Sequence, residues 1–136
     1  MIRKLLTVTR RGDITFHASG RIDITAHVAD ALHLHRGDVL NIATTDSTPA
    51  EHYLYVARRA DDAIGCHACT CKPAKGNGHY FRAHCQRLSR HVLDMCHADR
   101  RATLCVGATT HIDGLGTALP LITAPFQHPV FIDPQP

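Results

Sequence analysis

The sequence predicts a mainly β protein with two short helices, folded as a small barrel from two pseudo-repeated ββαβ units. Three observations lead there: short period-two alternations bounded by turn residues, two helical apolar stripes, and a match of the chain with itself at a shift of about 64 residues. At 136 residues the chain has the length of one ordinary domain. Few aromatics and no tryptophan point to a core of Val, Ile, Leu and Ala, which suits small strands and short helices.

The first unit spans residues 1–59. Residues 3–10 and 13–18 read as strands around an Arg11-Gly12-Asp13 turn, with Leu6, Val8, Ile14 and Phe16 alternating against polar neighbours. Ser19-Gly20 interrupts, Arg21 to Ile24 alternates again, and Thr25 stands where a helix N-cap is expected. Ile24, Val28, Ala31 and Leu32 then fall on one stripe, so a short helix ends near His33. Beyond the Arg36-Gly37-Asp38 turn, Val39, Leu40 and Ile42 predict a strand, and Tyr53 to Ala57 another.

Residues 60–79, rich in Gly, Cys, Lys and Pro, lack either periodicity and read as a linker loop. The second unit, 80–124, repeats the pattern. His27, Val28, Asp30, His33, Arg36, Leu40 and Thr45 meet His91, Val92, Asp94, His97, Arg100, Leu104 and Thr109. Leu88, Val92, Met95 and Cys96 supply the helical stripe, followed by strands at 103–106 and 119–123. Residues 125–136 form a proline-rich tail.

The run from Gly20 to Ile42 resembles the AbrB/SpoVT swapped-hairpin family in its Gly20-Arg21 turn, alternating strand, short helix, Leu32-x-Leu34 and Gly37-Asp38 before a strand. The resemblance implies a cradle-loop barrel of two interlocked units, most often a dimer, with arginines near the first hairpin on DNA. Two units in one chain are similar to the tandem MraZ arrangement and to double-psi barrels, and the sequence leaves swapped-hairpin and double-psi topologies both open. Two departures weigh against DNA: Thr25 stands where the family often has proline, and Ala29 and Asp30 where it has basic helix residues. The residues left to contact phosphate are Arg10, Arg11, Arg21 and Arg36.

A formal net charge of +3 is too mild to define a partner on its own. The leading expectation is an AbrB-like transcriptional regulator that binds duplex DNA, as a monomer or homodimer. A non-enzymatic accessory barrel that binds a protein partner is the alternative. A third reading is a zinc module in the Cys/His cluster of residues 66–85, with Cys66, His67, Cys69 and Cys71 as ligands and His79, His84 and Cys85 close behind, although only Cys66-x2-Cys69 has knuckle spacing. No other cofactor is expected.

No catalytic residue is assigned. His111-Ile112-Asp113 lacks an accompanying nucleophile and reads as a turn ending at Gly114, and Gly76-Asn77-Gly78 is no phosphate loop. With neither an export signal nor a membrane-length apolar run, a cytoplasmic, reducing environment is expected, where thiols stay out of disulfides. Cys96 and Cys105 are expected to act as small core residues.

Overall fold

The computed structural model describes residues 12–57, 71–74 and 80–123. The chain forms β1 (Ile14–His17), β2 (Arg21–Ile24), α1 (Ala26–Leu32), β3 (Leu40–Thr44), β4 (His52–Val56), β5 (Lys72–Pro73), β6 (Phe81–His84), α2 (Gln86–Met95), β7 (Arg101–Val106), β8 (Thr110–Ile112) and β9 (Gly116–Ile122). It is therefore mainly β with two helices. The strands make one antiparallel sheet in the order β3-β4-β9-β7-β1-β2-β6-β5, with β8 pairing on β9. The sheet curls until its two ends meet: Gly37 N–H donates to the Cys71 carbonyl at 2.8 Å, and Cys71 N–H to that of Asp38 at 2.7 Å.

The hairpin that forms differs from the expected one. β1 pairs with β2, placing Ile14 opposite Ile24 and Phe16 opposite Ile22, so Ser19-Gly20 lies in the turn between two strands. The loop is three residues long, and Gly20, at φ 103°, takes the left-handed position such loops demand. A Cβ there would also stand 2.9 Å from the His84 ring, so a larger residue is excluded twice over. The expected strand at 3–10 lies outside the described residues.

Alternation decides the core. Ile14, Phe16, Ile22, Ile24, Leu104, Phe81 and Ala83 point inward, joined by Leu40, Leu54 and Leu119 from the other half of the sheet. Val28 of α1 and Val92 of α2 complete this cluster, both fully buried. α2 packs on β1, β2 and β7, and α1 against β9. Thr25 occupies the N-cap position of α1 as expected, yet its side chain makes no capping bond. Its hydroxyl instead donates to the Asp13 carbonyl at 2.8 Å, while the Asp13 carboxylate accepts from Val106 N–H at 2.8 Å. Asp13 thus ties the start of β1 to both α1 and the end of β7.

The two helices end alike. His33 and His97 both have φ 54°, a left-handed turn in which each N–H reaches the carbonyl three residues back. The next residue, Leu34 or Ala98, then bonds the carbonyl of Ala29 or Leu93. Every one of these positions corresponds at the 64-residue shift, as do buried Leu40 and Leu104.

Three details depart from the sequence reading. Lys72–Pro73 in the expected linker forms a short strand, β8 is an additional strand, and β9 starts at Gly116, ahead of the expected 119. Cys96 packs against the core as expected, whereas Cys105 alternates with buried Leu104 and Val106 and faces outward, half-buried.

Candidate nucleic-acid interface

The outward positions of four adjacent strands carry the chemistry. Because β7, β1, β2 and β6 bury every second residue, the intervening side chains share one face: Arg101, Thr103 and Cys105; Thr15 and His17; Arg21 and Asp23; Arg82 and His84. Lys72 extends it, lying opposite Arg82. Cross-strand pairing sets the rows, with Arg101 beside His17, Arg21 beside His84, and Thr103, Thr15, Asp23, Arg82 and Lys72 in sequence across five strands. Among the described residues these strands therefore present four permanent cations, two histidines and one carboxylate on that face.

That carboxylate organises its neighbours. His17 Nε2–H donates to Asp23 Oδ2 at 2.8 Å, Arg82 Nε–H donates to Oδ1 at 3.0 Å, and Arg21 Nη2 lies 3.2 Å from Oδ2. Arg21 Nη2 is also 3.3 Å from His17 Nε2. A nitrogen that donates to Asp23 has no lone pair left to accept, so the carboxylate is the partner of Arg21. Partial burial works to raise the Asp23 pKa, but the hydrogen bonds from His17 and Arg82 and the charges of Arg21 and Arg82 outweigh it and hold the group below its ordinary 3.8. His84 is fixed separately, Nε2–H donating to the Ser19 carbonyl at 3.0 Å. Arg101 and Lys72 have no carboxylate partner among the described residues and are exposed.

Of the expected DNA contacts, Arg21 is on this face. Arg36 is exposed in the turn before β3, off these four strands, and Arg10 and Arg11 lie outside the described residues. Arg82 and Arg101, assigned no contact by the sequence reading, join Arg21 through long-range strand pairing. One helix departure also acquires a cause: Ala29 is buried, so a basic side chain does not fit there; Asp30 is exposed, and nothing in the structure explains its charge.

Cys66, His67 and Cys69 of the zinc reading lie outside the described residues. Cys71 belongs to the core, where burial, aided by the charge of Asp38, pushes its thiol up to about 12. Among the described residues no three metal-ligating side chains gather. His111 and Asp113 are both exposed and 3.9 Å apart, beside a turn through Gly114 at φ 87°. A hollow of about 970 Å³ is an open groove lined by Tyr80, His27, Ala31, Val106, Leu119 and Ile122. None of the described helices is long and apolar enough to cross a membrane.

The fold and this face define a small curled-sheet protein with a cation-rich outer surface. No model of a known family, no curated protein and no solved structure matches the chain.

Proposed function

We propose that this protein binds duplex DNA through the outward face of β7, β1, β2 and β6, as an AbrB-like regulator with two ββαβ units in one chain. The observation that carries the reading is the composition of that face, where Arg21, Arg82, Arg101 and Lys72 stand against the single carboxylate of Asp23. Guanidinium and ammonium groups spread across adjacent strands suit a row of phosphates, and such contacts fix position on the duplex. Thr15 and Thr103, whose hydroxyls are 3.0 Å apart, lie between the cations and offer donors and acceptors to base edges. The matched helix exits at His33 and His97 support the tandem-unit part of the reading.

Fluorescence anisotropy with labelled random-sequence duplex, across a salt series, tests it. If all four cations meet phosphates, log affinity falls against log salt with a slope of about −3 to −4. An Arg21→Ala/Arg82→Ala/Arg101→Ala variant should bind weakly with a shallow slope, whereas Arg36→Ala should retain most of the slope. No binding by the wild type at low salt would sink the DNA reading. The second reading, a barrel that holds a protein partner, would then stand; it is favoured by Asp23, which already engages two of the arginines.

A further inference from the structure

Away from that face, His52 of β4 and His91 of α2 bring two imidazoles together from elements far apart in the chain. Their ring centroids are 6.4 Å apart and the planes are inclined at 58°. His91 is exposed and His52 half-buried. We propose that His52 and His91 form a two-imidazole site for one divalent transition ion of the zinc type, with water in the remaining coordination positions.

The spacing of the rings approaches what one shared ion requires. Zinc sits 2.0–2.1 Å from an imidazole nitrogen, so two rings on one tetrahedral ion have centroids about 5 Å apart. Closing from 6.4 Å needs a side-chain rotation, which the exposed His91 makes without moving the helix. His52 also borders a hollow of about 260 Å³ on the side of Glu51, Tyr53, Leu121 and Thr123, which His91 does not line, so the ion would sit at the exposed edge between the two rings. Electrostatics agree: burial, and secondarily the charge of a protonated His91, lower the His52 pKa below 6.5. A neutral imidazole presents a lone pair, the form that binds a metal. Imidazole without thiolate suits zinc, copper(II) and nickel(II) and disfavours calcium or magnesium. Glu51 does not compete for the rings, since its carboxylate accepts from Tyr53 Oη–H at 2.9 Å. An ion here would clamp β4 of the first half onto α2 of the second.

Because the chain has 12 histidines and a separate Cys/His-rich stretch, the readout must be residue-specific. Zinc chloride is titrated into the full ¹⁵N-labelled chain while imidazole ¹⁵N resonances are followed by NMR. The expected result is that His52 and His91 shift together with one midpoint, and that His52→Gln abolishes the His91 response while the amide spectrum remains native. Should His52→Gln disturb the fold, His91→Gln on the exposed helix face provides the reciprocal test on His52. No shift at either ring, different midpoints, or a response of one ring that survives loss of the other overturns the proposal.

Discussion

The curled sheet has two outward faces of opposite character. Over β7, β1, β2 and β6 the outward residues are charged or polar, and each strand follows the plain alternation of an antiparallel sheet wet on one side. Over β3, β4 and β9 the outward side is apolar as well: Tyr55, Ala57 and Ala118 are buried in a second cluster, joined by Val39, Ala43, Tyr53, Ile112 and Leu115. Asn41 borders this cluster, donating Nδ2–H to Tyr55 Oη at 3.2 Å and accepting Ile42 N–H on Oδ1 at 2.8 Å. The difference comes from what lies above. β8 and its turn fold over β9 and bring Ile112 and Leu115 down onto that surface, whereas no described element covers β1 and β2. One face is a second small core, and the other is uncovered by the described residues.

Substitutions that exchange the two characters should break this contrast most sharply. Ala118→Lys places an ammonium in a fully buried site between β4 and β8, and should cost several kcal/mol or prevent folding, as urea denaturation would reveal. The same change in the middle of the charged face, Thr15→Lys, should alter stability by less than about 1 kcal/mol while raising DNA affinity in the anisotropy assay.

A change of intermediate size lies beneath the charged face. Ser89 of α2 is fully buried and its hydroxyl has no hydrogen-bond partner among the described residues. Ser89→Ala removes that orphan group and should stabilise the protein by about 1 kcal/mol, seen as a higher urea midpoint with unchanged slope.

The smallest effect is the acid response of Asp23. Its folded pKa is lowered, so its contribution is complete above the unfolded value of about 3.9 and disappears as pH falls through the lower folded value. Solvent screening keeps it small. Asp23→Asn should lower stability slightly at pH 7, where the contribution is complete, and flatten the profile below about pH 4. The same substitution should strengthen duplex binding, because Arg21 and Arg82 lose their internal partner.

Local pattern was the legible part of the sequence. The alternations at 21–24 and 103–106 bury the residues their spacing selects, because burial of one face is a short-range demand, whereas the helices bury Val28, Leu32 and Val92 of the expected stripes together with Ala29, Ser89 and Leu93, which the stripes left out. Pairing was not legible. That β2 lies against β6, and β1 against β7, depends on how the halves close together, and nothing near Arg82 or Arg101 in sequence announces Arg21 as a neighbour. Lys72–Pro73 was hidden for another reason: two residues carry no period, and proline is tolerated on the strand that ends the sheet. Thr25 has the residue type of a cap, but a backbone carbonyl twelve positions earlier claimed its hydroxyl.

The Arg21–Asp23–Arg82 arrangement has a kinetic consequence for the proposed activity. An arriving phosphate must displace a carboxylate already seated on both guanidinium groups, and a departing one leaves them partnered again without waiting for counterions. The built-in competitor lowers the gain from each encounter and eases release. On long duplexes such a surface would favour short dwell times and frequent rebinding, so occupancy of any one site would respond quickly to changes in protein concentration.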